Sequence, residues 1–324
     1  MSIASKRVFL TLFSIMLHFS MVAMAQPEEA REQVEDLIAY QQDFIARFSG
    51  SVPYRDGKTI KRRSTLKGRS IAREILQEEI VSLGFDPIED TYGVPVEAPG
   101  GSSTRIRRLI KGTNILFVVP ANSGAQSKKQ IILVAHYDAF GRSPGADDNA
   151  SGVAAILGVV KHLKTLSARD LDVLVLFSDH EELGLIGSYK FVERLNTDRL
   201  DIHSVHAFDM LGWDGDGDRA VELDPGTDEI RDLYEHHAAA RGIPITIIES
   251  NRSDHAAFRS VDLPSSLLIE EAEHGDFNPH YHSRKDRVEF IDFEYLASNT
   301  LLVSSIMTDL LDQSEQVDVR SSSD

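Results

Sequence analysis

The sequence contains no cysteine. That absence excludes disulfides, lipid attachment through a thiol and any metal site built on sulfur, so a bound metal would need His, Asp and Glu. Basic residues are also scarce: 34 Lys and Arg stand against 51 Asp and Glu, a formal net charge of −17. A surface of that sign repels nucleic acid and anionic lipid, so no nucleic-acid partner is expected. Long apolar runs are missing beyond the first 25 residues, where nothing approaches the roughly 20 apolar residues of a membrane span. What remains is 42% hydrophobic and 26% charged, a composition able to build a sizeable core.

The one apolar stretch runs from Val8 to Ala25, interrupted by Thr11, Ser14, His18 and Ser20. Lys6 and Arg7 precede it, and Ala23-Met24-Ala25 closes it before Gln26. A basic start, a short apolar run and a small-x-small end are the pattern of a cleaved signal peptide. Removal of residues 1–25 leaves 299 of 324 and moves the net charge from −17 to −19, because only Lys6 and Arg7 are lost. The expected mature protein is exported, to the periplasm or the medium, without stable membrane insertion.

Residues 28–48 place Val34, Leu37, Ile38, Phe44 and Ile45 at helical spacing. Ile71, Ile75, Ile80 and Leu83 predict a second helix, closed by Gly84. Between them, Lys61-Arg62-Arg63 reads as a solvated basic surface. Ala98-Pro99-Gly100-Gly101-Ser102-Ser103 is a loop signal. Strands are then expected at 113–119, 131–136, 171–177, 203–209, 244–249 and 265–269, with helices at 150–165, 187–195, 228–241 and 292–312. Ile131-Ile132-Leu133-Val134 and Leu171-Asp172-Val173-Leu174-Val175-Leu176 are near-continuous apolar runs, which suit a sheet buried on both faces. The expected fold is therefore α/β. One domain over 26–313 is the simplest organisation, with the helical segment 26–100 packed on it and a polar tail at 314–324.

Chemistry-bearing residues gather where these strands end. His136-Tyr137-Asp138 closes a buried strand, and side chains two apart share a face. A ligating His commonly gives its second ring N–H to a carboxylate, as Asp138 would accept it. Gly145-Ala146-Asp147-Asp148-Asn149-Ala150-Ser151-Gly152 follows, leading into a helix with Val153, Ile156, Leu157, Val160 and Leu163 on one stripe. Its acids would serve equally as helix caps. Glu181-Glu182 follows another apolar strand, where one carboxylate can bind metal while its neighbour stays free as a base. Asp209 ends a further strand, and Asn278-Pro279-His280-Tyr281-His282-Ser283 brings late histidines. Open α/β sheets build their sites at the carboxyl ends of strands. Oxygen and nitrogen donors without sulfur suit zinc.

The ordered set resembles peptidase family M28, the co-catalytic zinc aminopeptidases. It comprises His136-Tyr137-Asp138, Gly145 to Gly152, Glu181-Glu182 with Gly184-Leu185-Ile186-Gly187-Ser188, Asp209-Met210, Ser253-Asp254-His255, and Tyr281-His282-Ser283 before Asp286. The resemblance implies a three-layer α/β/α sandwich about a mostly parallel, mixed sheet. It implies two zinc ions per chain, one on His136 and Asp209, the other on Glu182 and His282, with Asp148 shared and Asp147 not a ligand. Glu181 would be the general base, Asp138 would orient His136, and Tyr281 would stabilise the tetrahedral intermediate. Asp254 would stand behind the ligands. Substrates would be peptides with a free N-terminus.

His180 departs from the family pattern, in which a small residue is usual before the glutamate pair. Asp214-Gly-Asp216-Gly-Asp218 looks like half a calcium loop, but Arg219 and Pro225 fall where glycine and glutamate are needed, so a plain turn is expected. The nearest rival is a single-zinc glutaminyl cyclase, a class that tends to carry Asp-Asp-His where this chain has Ser253-Asp254-His255, and Trp before the last histidine. A carboxypeptidase-like relative and a non-catalytic metal-binding module are the further alternatives.

Overall fold

The strongest period-2 and apolar-run signals become the middle of one sheet. In the computed structural model, residues 28–96, 108–124, 129–198 and 201–312 are described. The expected signal peptide, the loop at 98–103 and the tail at 314–324 lie outside these residues. Two units are distinguished, 1–40 and 41–324. Helix α1 (Glu28–Phe48) begins in the first, where its side chains are mostly solvent-facing and Arg31 and Glu35 pair one turn apart at 3.6 Å. Its last residues belong to the second unit and bury Phe44, Ile45 and Phe48.

The second unit continues with α2 (Leu66–Ser82), β1 (Ile88–Val96), β2 (Arg108–Val119), β3 (Lys129–His136) and α3 (Ala150–Leu163). Then come β4 (Asp172–Ser178), a 3-10 turn at Glu181–Leu183, α4 (Ile186–Asp198), β5 (Asp201–Asp209), β6 (Val221–Asp224) and α5 (Asp228–Arg241). Last are β7 (Ile245–Ile247), α6 (His255–Arg259), β8 (Ser265–Ile269) and α7 (Phe293–Leu311).

Eight strands form one mixed sheet in the order β1-β2-β4-β3-β5-β8-β6-β7. The central β4-β3-β5-β8 are mutually parallel, β2 joins β4 antiparallel, and β6 joins β8 antiparallel. Helices cover both faces. On one, Phe191, Val192, Leu195, Ala257 and Phe258 of α4 and α6 pack with Ile132, Val134, Leu174 and Leu176. The alternate residues Ile131, Leu133, Val173 and Val175 are equally buried, as two covered faces require. The α/β fold expected from the sequence is the one observed.

Two differences follow from packing. Strands β1 and β6 were not expected, because Ile88–Val96 contains Gly93 and Pro95 and Val221–Asp224 is four residues long. Helix α3 was expected to bury one stripe, but Ser151, Ala154, Ala155 and Val159 are buried as well, since α7 packs on it. Small residues on its other sides make that close approach possible.

Candidate metal centre

The parallel strands β3, β4 and β5 run the same way, so the residues at their carboxyl ends converge. His136 is the last residue of β3 and Asp209 the last of β5, and Glu181 and Glu182 sit in the 3-10 turn just after β4. Asp148 lies in the loop that leaves β3 and turns into α3. The N-cap of that helix is Asn149, not an aspartate: its side chain accepts from Gly152 N at 2.9 Å and donates to Phe208 O at 2.8 Å. Capping is thus taken over by the amide, which leaves the Asp148 carboxylate free for the cleft.

Asp148 divides its oxygens between two groups. Oδ1 is 3.3 Å from His136 Nε2, and the same ring nitrogen is 3.3 Å from Asp209 Oδ1. Oδ2 is 3.2 Å from His282 Nε2, which is also 3.1 Å from Glu182 Oε2. Asp138 Oδ1 is 3.5 Å from the far nitrogen of His136 and accepts the Glu181 backbone N–H at 3.1 Å. Glu181 Oε2 stands 3.9 Å from His136 Nε2. The His282 ring is held between Phe140, stacked at 3.9 Å, and Tyr281, stacked at 3.7 Å.

Too much negative charge meets in this buried place. Burial works against a charged His136, yet Asp209, Glu181, Asp138 and Asp148 outweigh it and hold the imidazole well above its usual pKa. His282 rises to about 9, burial again losing to Asp148 and Glu182. Burial lifts Glu181 well above the ordinary carboxylate range, against the pull of His136. Burial also takes Glu182 up to about 7, opposed by its contact with His282. Asp148 moves the other way, because the two histidines outweigh its burial. Both rings are thus being drawn toward a positive charge that a divalent cation would supply instead.

The donor set fits zinc. His136, Asp148 and Glu182 each offer a ligand atom, all within 4.8 Å of one another. Glu182 Oε1 is buried without a hydrogen-bond donor, as a ligand lone pair would be. All eight side chains singled out in the sequence, His136, Asp138, Asp148, Glu181, Glu182, Asp209, Tyr281 and His282, are gathered in this one place.

Others are set apart. Asp147 turns away, accepting from Gly212 N at 2.9 Å and Asn278 Nδ2 at 2.6 Å. Asp254 is buried and takes the hydroxyls of Ser178, at 2.7 Å, and Ser188. His180 points its Nδ1 to the Tyr92 hydroxyl at 3.1 Å, and burial pushes its pKa down to about 4. His280 packs against Phe290 and Trp213 rather than the acids. Asp214, Asp216 and Asp218 accept backbone N–H groups of their own turn.

Sequence reasoning misplaced Arg63. Expected on a basic surface, it is fully buried. Its guanidinium donates to Tyr137 O (2.8 Å), Phe48 O (3.0 Å), Pro144 O (2.7 Å) and Gly145 O (2.7 Å). Three of these carbonyls, those of Tyr137, Pro144 and Gly145, belong to the loop that leads to Asp148. Gly145 has φ +69°, and a Cβ there would stand 2.5 Å from Arg63 Nη2, so only glycine admits the clamp. Asp286 secures the same loop, accepting Asp147 N at 2.8 Å and Asp148 N at 3.3 Å. Phe140 was also overlooked. An exposed aromatic beside Asp138 carries no signal until His282 is seen to lie on it.

Residues 114–307, more than half of the chain, match the profile of Peptidase family M28. A probable leucine aminopeptidase of Trichophyton verrucosum is 29% identical over 233 residues, covering 66% of this chain and 61% of that protein. The chain thus spans about three fifths of that relative's length. Among solved structures, a zinc aminopeptidase from Bacillus subtilis superposes with a TM-score of 0.72 at 15% identity, covering 85% of this chain and 96% of that one. A glutaminyl cyclase of Porphyromonas gingivalis superposes at 0.67 and 15% identity, covering 86% and 98%. Likenesses at such identity speak for the fold alone, which these two enzyme classes share.

Proposed function

The chain belongs to peptidase family M28, and from that premise we propose that it is an exported, zinc-dependent aminopeptidase that binds two zinc ions sharing Asp148. The observation that carries the proposal is the division of Asp148. One oxygen faces His136 and Asp209, the other His282 and Glu182. One carboxylate between two ligand pairs is what a two-metal site requires, and a single ion would leave one pair idle. When bound, zinc would supply positive charge that lowers the pKa of a water and polarises the scissile carbonyl.

The chain's own groups do the rest. Glu181 lines the cleft beside Asp148 and Asp209 without belonging to either ligand pair. Its carboxylate takes the proton of the attacking water and returns it to the departing amine, a role suited to a carboxyl whose pKa burial has raised. Asp138 accepts the Glu181 backbone N–H and faces the far nitrogen of His136 from 3.5 Å, where it would orient the ring. The phenol of Tyr281, whose ring lines the cleft and stacks on His282, would donate to the developing oxyanion. Acids lining the cleft suit the free α-ammonium of a peptide N-terminus.

The test pairs metal analysis with blocked substrates. Mature protein reconstituted with zinc should hold two ions per chain, cleave aminoacyl chromogenic substrates and leave their N-acetylated forms intact. Equal turnover of blocked and free forms would sink the aminopeptidase assignment. One zinc in fully active protein, with N-terminal glutamine cyclised and no bond cut, would move it to the glutaminyl cyclases.

A further inference from the structure

One wall of the cleft belongs to the segment running from the end of β8 to His282: Ala272, Glu273, Phe277, Tyr281 and His282 all face it. Met210, Ile248, Leu267 and Ile269 form the apolar remainder. The middle of that wall rests on a residue of a neighbouring strand. Glu222 in β6 is fully buried opposite Ile269, the last residue of β8, so the chain leaving β8 turns back over it. Its Oε2 accepts the backbone N–H of Ala272 at 3.0 Å and of Glu273 at 2.8 Å. Its Oε1 accepts that of His274 at 2.6 Å and lies 3.1 Å from the His274 ring Nδ1.

Three consecutive N–H groups converging on one carboxylate make an anion nest turned inward. Four donors in all need an acceptor-only group. A glutamine would put its NH₂ against N–H donors and leave part of the nest unsatisfied in a buried place. The ends of the wall are tethered elsewhere. Glu270 donates its N–H to Met210 O at 2.8 Å and accepts from Trp213 N at 2.8 Å, and Asn278 binds Asp147 at 2.6 Å. Release of the middle therefore leaves His282 and the acids in place.

We propose that Glu222 is a specificity-determining positioning residue: it fixes the backbone of residues 272–274, and with it the wall that receives the side chain of the substrate's first residue. The specificity role rests on the aminopeptidase function proposed above. The anchoring role does not.

The experiment compares the zinc-reconstituted parent with Glu222→Gln by hydrogen exchange, metal content and kinetics on leucyl and alanyl p-nitroanilides. Zinc content should be unchanged, because Glu222 touches no ligand. Amides 272–274 should exchange at least about tenfold faster in the variant, as a local opening made easier. KM for the leucyl substrate should rise about tenfold with kcat within about threefold, and the leucine-to-alanine ratio of kcat/KM should fall toward one. His274→Ala, a substitution of an exposed surface ring, should move the same quantities the same way by less, and serves should Glu222→Gln fail to fold. Unchanged exchange at 272–274 overturns the anchor. Faster exchange with an unchanged leucine-to-alanine ratio overturns the specificity role. A parent that cleaves neither substrate removes the aminopeptidase function and the specificity role with it, while the exchange still decides the anchor.

Discussion

Glu181 and Glu182 are adjacent in the chain and have different surroundings. Glu182 reaches His282 and keeps a buried oxygen with no donor, whereas Glu181 approaches only His136, and at the longer distance of 3.9 Å. Glu181→Gln should therefore keep both zinc ions and the fold while losing about 10²–10⁴-fold in kcat, the usual worth of a general base. Glu182→Gln should weaken one zinc site, since a neutral amide is a poorer ligand, with partial rescue by excess zinc. Metal content measured beside rate decides between them. Glu181→Gln that sheds zinc while Glu182→Gln retains it would reverse the two roles. The chain supplied both residues in plain view, and the resemblance supplied their roles. Their different surroundings depend on a 3-10 turn entered through His180 at φ +61°, which no spacing pattern announces.

At the scale of elements, the site is a set of loops leaving parallel strands, and each needs something rigid beneath it. For the loop before α3 that support is Arg63, a charge pushed down to about 10 by burial and committed wholly to carbonyls. Arg63→Lys keeps the charge but loses the planar fork that reaches four oxygens at once. Stranding even two of those buried carbonyls should cost about 3 kcal/mol or more. With the 137–145 segment loosened, the protein should also bind zinc more weakly, since Asp148 lies three residues beyond it. Urea denaturation and zinc titration of the metal-free protein measure the two effects. An Arg63→Lys variant as stable as its parent, with equal zinc affinity, would show the clamp to be unimportant. Local pattern located the strands that bear ligands. It missed β1 and β6, because a strand holding Gly and Pro, or only four residues long, leaves little periodicity to read.

For the molecule as a whole, stability should depend on pH through buried histidines remote from the ligands. His206 in β5 is fully buried, near Ser204 (3.0 Å), the Tyr234 hydroxyl (3.1 Å) and Ser266 (3.2 Å). Burial, with a smaller contribution from His203, pushes its pKa down to about 3. A folded pKa below the unfolded one means the unfolded chain binds the proton more readily. The stabilising contribution is thus complete above about pH 6.5 and declines as pH falls toward 3. Carboxyls raised by burial, such as Asp179 at about 6, act with the opposite sign, so the comparison must be with a variant. Between pH 7 and pH 5 the parent should lose about 2 kcal/mol more stability than His206→Gln. Chemical denaturation at both pH values reads this directly, and a difference that stays flat would refute it.

The sequence by itself determined the chemistry and the family. Without cysteine, a metal site had to draw on His, Asp and Glu, and the family resemblance implied His136, Asp148, Glu182, Asp209 and His282 among them, while apolar runs buried on both faces dictated an α/β sheet. Such facts are local: they depend on residue type, spacing and chain order. Tertiary structure decided what depends on long-range meetings. It brought Phe140 under His282, drew Arg63 from an apparently basic surface into the interior, and gave capping to Asn149 so that Asp148 faced the cleft. It also set Glu222 beneath a wall 50 residues further along the chain. A residue's burial and partners are properties of the packed whole, because the groups that satisfy a buried charge can come from any distance along the sequence.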